Sequence, residues 1–358
     1  MQPNISSNGS FYLTLSSLFK EMIMLKRFFI IYLLLVSALS NAQPTDAGGD
    51  TSLIPSSRLG AKTWALASQS VVNIRRAPAY SSEMTTQVLL GTPLKILAKK
   101  RNWYQVQTPE GYEGWAANLN ALFDSVTLRG INQQHRIIVT SNTAFVYTSP
   151  RGGDIISEVV MGNILHLDGN KKKKGTYKVL FPDGRTGYVD ARAVKTWDDW
   201  RRSIQLTGSS IENVAKRFVG LPYFWGGTSA RGLDCSGLTK TTYLMHGIIL
   251  PRDARQQYLT GVAIDSTNNF SQLQKGDLMF FGRKYADDTT RYNIVHTAIY
   301  LQDRQFIQAG DGNIQISSLD PADENYDYHN RSRYVITKRI LHTPQNGTWS
   351  IFTHPWYN

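Results

Sequence analysis

The sequence predicts an α+β protein in which a C-terminal domain of helices followed by strands is preceded by two small all-β barrels. Three observations lead there. The first half contains an internal repeat, the pattern changes after Trp200, and the composition is 41% hydrophobic and 18% charged. That composition describes a globular chain able to bury sizeable cores. At about 150 residues per domain, with smaller modules permitted, 358 residues hold two or three domains.

The N-terminal stretch belongs to none of them. Lys26 and Arg27 precede an apolar run from Phe28 to Val36 and then Ser37-Ala38-Leu39-Ser40-Asn41-Ala42, with small residues at 40 and 42. This is the pattern of a secretory signal, expected over 1–42 with cleavage after Ala42. The apolar run is too short to cross a hydrocarbon core of about 30 Å, so no integral membrane anchor is expected. The polar stretch before Lys26 is long for such a signal and points to Met22 or Met24 as the start. An exported protein, periplasmic or extracellular, is expected. Cys235 is the only cysteine, so no lipid-bearing cysteine follows the leader.

In the repeat, Gln87-Val88-Leu89-Leu90-Gly91 followed by Leu94-Lys95-Ile96 returns as Glu158-Val159-Val160-Met161-Gly162 followed by Leu165-His166-Leu167. Trp103-Tyr104-Gln105-Val106 and Gly111-Tyr112-Glu113-Gly114-Trp115 return as Thr176-Tyr177-Lys178-Val179 and Gly184-Arg185-Thr186-Gly187-Tyr188. Each copy consists of short segments rich in Val, Ile, Leu and aromatics between Gly, Pro and Asn turns, the signature of a small antiparallel barrel. With Asn73-Ile74-Arg75, the unit resembles a bacterial SH3-like domain over residues 65–124 and again over 135–197. The expected boundaries are 43–128 and 129–202. The second barrel is read equally well as a spacer or as a binding module.

After the Trp197-Asp198-Asp199-Trp200 connection a third domain is expected over 203–358. Ile211, Val214, Ala215 and Phe218 have helical spacing over Ser210–Val219, and Gly220-Leu221-Pro222 stops that helix. A second helix is expected from Cys235 to about His246, ended by Gly247. Strand-like stretches follow at 277–281, 294–300, 305–308 and 313–316. Helices followed by strands indicate α+β layering.

A single cysteine in an exported chain excludes an internal disulfide and a multi-thiolate zinc site. An inert buried thiol, an intermolecular disulfide and a reactive nucleophile remain. Cys235 stands at the start of a predicted helix, where unpaired N–H groups favour a thiolate. His296 on a predicted strand could serve as its base, and Gln308 on the next strand could orient the imidazole.

Five segments choose among these readings. Pro222-Tyr223-Phe224-Trp225-Gly226-Gly227, Leu233-Asp234-Cys235-Ser236-Gly237-Leu238, Leu250-Pro251-Arg252, Gly276-Asp277-Leu278-Met279-Phe280-Phe281 and Val295-His296-Thr297-Ala298-Ile299-Tyr300 together resemble the NlpC-type cell-wall cysteine peptidases, over about residues 205 to 340. The resemblance implies a papain-like α+β domain that acts on D-Glu-containing peptides of peptidoglycan through an acyl-enzyme. It implies Cys235 as nucleophile, His296 as base, Gln308 where the family commonly has His, and Tyr223 as an oxyanion donor beside the Cys235 N–H. With Gln308 no charge partner for the imidazolium is expected.

The arrangement with two SH3-like modules is similar to the γ-D-glutamyl-L-diamino-acid dipeptidyl peptidases, which release a dipeptide from stem peptides with a free N-terminal L-Ala. The resemblance implies an anionic receptor for that amine from Asp234, completed by Glu83 and Tyr112 of the first barrel, with Ser236 contacting substrate. Ala254 stands where relatives can present a hydroxyl. Two rivals remain: an endopeptidase on intact stems, and a non-catalytic wall-binding protein. The isolated domain from Ser203 onward is expected to be soluble but nearly inactive.

The formal net charge of +12 favours acidic partners. Muropeptides and anionic wall material are the expected partners, and nucleic acid is not. Lys171 to Lys174 read as a solvated hairpin tip. His246 is expected to close the Cys235 helix. His135, His166, His329, His342 and His354 lack ligand spacing, so no metal or other cofactor is expected.

Overall fold

The computed structural model describes residues 52–169, 172–267, 269–288, 291–310, 312–340 and 347–358. The expected signal at 1–42 lies outside the described residues. In the first repeat, β1 (Trp64–Leu66), β2 (Val71–Arg75), β3 (Met84–Leu89), β4 (Pro93–Lys100), β5 (Trp103–Gln107), β6 (Glu113–Ala117) and β7 (Leu122–Phe123) pair in the order β3-β2-β6-β5-β4-β1-β7. Ile54–Pro55 adds to β4. In the second repeat, β8 (Arg136–Val139), β9 (Thr143–Ser149), β10 (Gly152–Val160), β11 (Ile164–Leu167), β12 (Thr176–Leu180), β13 (Thr186–Asp190) and β14 (Val194–Thr196) pair in the order β10-β9-β13-β12-β11-β8-β14. Each strand of the second copy thus takes the place of its counterpart seven strands earlier, and the sequence repeat is a structural one. Alternation decides the faces: in β2, Val72 and Ile74 point inward while Asn73 is exposed.

Between the two copies lies α1 (Ser125–Asn132), capped by the Asp124 carboxylate, which accepts from the N–H groups of Val126 and Thr127. After the second copy the Trp197-Asp198-Asp199-Trp200 connection is itself a helix, α2 (Trp197–Ser203). The Thr196 hydroxyl accepts from the Asp199 N–H at its start. Asp198 and Asp199 lie in its first turn and Arg201 and Arg202 in its last, the charge order that a helix dipole favours. Trp200 is buried and donates to the Met245 carbonyl at 3.2 Å.

In the last part, α3 (Gly208–Lys216) begins two residues before the expected position, because Thr207 and Ser210 form a capping box. Then come α4 (Cys235–Leu244) and the short α5 (Ala254–Gln257). Six strands, β15 (Val262–Asp265), β16 (Leu278–Lys284), β17 (Tyr292–Tyr300), β18 (Gln305–Gly310), β19 (Asn313–Ser318) and β20 (Tyr334–Arg339), form one antiparallel sheet in the order β15-β20-β16-β17-β18-β19. Helix α6 (Tyr328–Ser332) precedes β20. The architecture is a papain-like α+β domain preceded by two SH3-like barrels. Strands β15 and β20 are additions to the expected set, although β20 buries Val335 and Thr337 in alternation. Among the described residues no helix is long and apolar enough to cross a membrane.

The largest core ignores the repeat boundaries. Leu89 from the first barrel, Ile138, Val160, Met161 and Ile164 from the second, and Trp200 from α2 share one cluster with Ile211, Tyr243, Met245, Ile249 and Leu278. The Ile164 N–H donates to the Leu90 carbonyl at 2.9 Å, joining the barrels directly. A fragment starting at Ser203 would therefore expose the apolar faces of α3 and α4. The fragment is expected to aggregate instead of remaining soluble, and size-exclusion chromatography of it against the chain from Ser52 checks this.

Candidate active site

Cys235 is the first residue of α4, and Asp234 is the residue that caps it, with an Asp234 oxygen 2.7 Å from the Gly237 N–H. The first turn is pressed onto the loop that carries Tyr223. The Asp234 N–H donates to the Gly227 carbonyl at 3.2 Å, and a Cβ at Gly237 would lie 1.9 Å from that carbonyl oxygen. Only glycine fits there, which explains the Ser236-Gly237 pair after the cysteine. Gly226 has φ +76°, and a Cβ on it would lie 2.7 Å from the Met84 carbonyl of the first barrel.

The Asp234 carboxylate differs from expectation. It is buried and held by Arg252, which reaches both its oxygens, by the Gly226 N–H at 3.0 Å and by the Gly237 N–H. Arg252, 2% exposed, also donates to the Ser236 hydroxyl at 2.8 Å and to the Thr86 hydroxyl of β3 at 2.8 Å. Asp234 is thus a helix cap and the counter-ion of a buried arginine, not an open receptor, and the Ser236 hydroxyl is engaged by the same arginine. A buried carboxylate without such partners would be strongly disfavoured, so its role as cap requires its neutralisation.

The more open acid is Asp253, which follows Leu250-Pro251-Arg252 and stands at the N-cap of α5, a position to which the sequence alone assigns no role. It is half-buried, and burial raises its carboxyl above the usual range, with Arg252 opposing and the Asp234 charge adding. Tyr112 faces it across the barrel junction: burial raises the phenol, and the charge of Asp253 raises it further. Glu83, the residue before β3, accepts from the Trp225 indole N–H at 3.0 Å and pairs with Arg76 at 2.6 Å. Gln87 bonds the Thr228 N–H and the Ser229 hydroxyl. The first barrel therefore lies against the loop that carries Tyr223 and Trp225. Tyr223 is half-buried and its phenol is pushed up to about 12, first by burial and then by the neighbouring Cys235 and Asp234 charges.

Burial pushes the Cys235 thiol up to about 11, and Asp234 adds to this; the N–H groups of Thr297 and Ser236 and the charge of Arg252 pull the other way. The bond from Thr297 places the sulfur beside β17 next to His296. Burial likewise pushes the His296 imidazole down to about 4. His296 Nε2 is 2.7 Å from Gln308 Oε1. The Gln308 amide is fully engaged: its Oε1 also accepts from Asn330 Nδ2 at 2.8 Å, and its Nε2 donates to Ser317 Oγ and to Asp327 Oδ2, each at 2.8 Å. Burial alone would raise the Asp327 carboxyl, but bonds from the Asn330 N–H and from the Gln308 and Asn330 amides hold it below the usual range. A carboxylate near the imidazole therefore exists, one amide beyond it.

His246 closes α4 as expected, with Nδ1 2.8 Å from the Thr242 carbonyl. Lys172 to Lys174 are exposed around a turn.

A model of the NlpC/P60 family matches residues 220–333 and a bacterial SH3 domain matches residues 70–120. A γ-D-glutamyl-L-lysine dipeptidyl-peptidase of Bacillus cereus is 31% identical, over 71% of this chain and 76% of its own. Dipeptidyl-peptidase 6 of Lysinibacillus sphaericus is 28% identical, over 70% and 89%. Among solved structures, an NlpC/P60 family protein from Bacillus cereus superposes with a TM-score of 0.65 at 25% identity, covering 78% of this chain and 99% of that one.

Proposed function

The chain belongs to the NlpC/P60 family, and on that premise we propose that it hydrolyses the γ-D-glutamyl-L-diamino acid bond of peptidoglycan stem peptides whose N-terminal L-Ala is free, releasing L-Ala-γ-D-Glu. The enzyme is a cysteine peptidase. His296 takes the Cys235 proton as the sulfur attacks the γ-carbonyl, and the oxyanion is met by the Cys235 N–H and the Tyr223 hydroxyl. The imidazolium then gives its proton to the departing amine, leaving a thioester. Water, deprotonated by His296, opens the thioester to the free dipeptide and restores the thiol.

The observation that carries the dipeptide-releasing reading is the acidic wall on the barrel side: Glu83 bonded to Trp225, with Tyr112 facing Asp253. The half-buried Asp253, whose carboxyl burial raises, is stabilised by an arriving ammonium and left without a counter-charge by an amide, while Glu83, exposed and shared with Arg76, adds a second acid at the barrel edge. Asp253 takes the receptor role first given to Asp234, which supports the pocket through Arg252. The basic residues and apolar run ahead of Ala42 support export of a mature chain from about residue 43, and the barrels are assigned to 43–128 and 129–202 and the catalytic domain to 203–358.

The test compares free L-Ala-γ-D-Glu-L-Lys, the diaminopimelate analogue, the N-acetylated tripeptide and intact sacculi by mass spectrometry. Dipeptide release from the free tripeptides and little from the other two is expected. Glu83→Gln should raise KM for free tripeptide by about tenfold, the loss of one charged hydrogen bond, and change the N-acetylated substrate far less. Equal cleavage of sacculi would make the enzyme an endopeptidase on intact stems.

A further inference from the structure

Hydrogen-bond polarity can be followed outward from the base. The His296 imidazole meets Gln308, and an amide offers either an acceptor or a donor depending on which way it is turned. What turns it lies beyond it. An ionised carboxylate only accepts, so the side of Gln308 that faces Asp327 Oδ2, at 2.8 Å, must be its NH2 group. The opposite side is fixed in the same sense. Arg333 donates through Nε and Nη2 to Asn330 Oδ1 at 2.9 and 2.7 Å, which turns the Asn330 NH2 toward Gln308 Oε1 at 2.8 Å and toward Asp327 Oδ2 at 2.6 Å. Gln308 therefore presents its oxygen to His296, His296 carries its proton on Nε2, and Nδ1 is left as the acceptor.

We propose that Asp327 is the positioning residue of this active site: through Gln308 it selects the Nε2–H tautomer of His296, and its charge favours the imidazolium that forms when Cys235 attacks. The charged groups that act on His296 are Asp327, which favours the imidazolium, and Arg333 and His329, which oppose it, and all three come from α6 or its flanks. Asp327 is also the residue that caps α6, since its Oδ1 accepts from the Asn330 N–H at 2.8 Å. A single side chain thus ties the helix start to the catalytic tautomer. The proposal rests on the reading of His296 as the base.

The variant Asp327→Asn separates the two duties. The cap position needs an oxygen, because the Asn330 N–H can only donate, so the new amide turns its NH2 toward Gln308. That NH2 opposes the NH2 groups of both Gln308 and Asn330, which had shared Asp327 Oδ2, so the hold of Asp327 and Asn330 on the Gln308 amide is released together, its NH2 can turn to His296, and the Nε2 proton is given up. The experiment uses the chain from Ser52 with 15N-labelled histidine, the His296 signals being identified by their loss in His296→Gln. Long-range 1H–15N correlations report the Nε2–H tautomer in the parent and its loss in Asp327→Asn, without substrate. In parallel, kcat should fall by about tenfold or more with KM within about twofold. An unchanged tautomer overturns the proposal even if kcat falls, as does an unchanged kcat with the tautomer altered. If Asp327→Asn does not fold, Asp327→Ser, which keeps a capping oxygen and removes the charge, is read in the same way. Failure of the underlying mechanism would appear elsewhere, as turnover retained in His296→Gln.

Discussion

Cys235→Ala is expected to lose about 10⁴-fold or more in kcat on the free tripeptide, down to the background left by binding and oxyanion stabilisation alone. Among the described residues no other thiol can take its place, and the hydroxyl of the adjacent Ser236 is buried and held by Arg252. The expected pH behaviour is specific. With the thiol pushed up to about 11 and the imidazole down to about 4, the resting pair is neutral between those limits. Proton transfer to His296 then accompanies attack, with no standing thiolate–imidazolium pair. Iodoacetamide should therefore alkylate the free enzyme slowly at neutral pH and about tenfold faster per pH unit on the alkaline side, since only the thiolate reacts. His296 must be unprotonated to accept, so the acid limb of kcat/KM should fall toward pH 4 and not near 6.5. Turnover retained in Cys235→Ala, or fast alkylation at neutral pH, would contradict this mechanism.

The second large effect is on stability. Arg252→Met leaves the Asp234 carboxylate buried without its cation and removes a donor from the hydroxyls of Ser236 and Thr86. Breaking one side of a buried ion pair costs about 3–5 kcal/mol. In a domain of this size that lowers Tm by on the order of 10 °C. The loss should be much smaller in the double variant Arg252→Met with Asp234→Asn, because asparagine still caps α4 and carries no charge to strand. Thermal unfolding of the parent and the two variants decides it, and an unaltered Tm for Arg252→Met alone would sink the account. Activity should fall with stability, since the same pair sets the position of the Cys235 N–H.

The sequence by itself determined the parts whose signals are local. The duplicated β pattern named both barrels, because alternation and turn residues are short-range properties. Helical spacing and glycine stops located α3 and α4 to within a few residues, and the lone cysteine at a helix start with His296 and Gln308 on neighbouring strands named the candidate dyad and its orienting group. Other features arise only when distant segments meet. Asp234 looked like a free acid until Arg252, eighteen residues on, was seen to neutralise it, and nothing in the local sequence signals such a pairing. Asp253 became the open acid only because the first barrel brings Tyr112 toward it. Strand β20 had its alternation but went unread, because its partners β15 and β16 lie far back in the chain. The helix in the Trp197-Asp198-Asp199-Trp200 connection depended on burial of Trp200 against Met245. Asp327 and Asn330, which orient Gln308, sit in a short helix with no distinguishing pattern. Residue types and periods are written along the chain, whereas which charge is neutralised, which amide is turned and which face is covered depend on contacts between residues far apart in sequence, and those exist only in the folded structure.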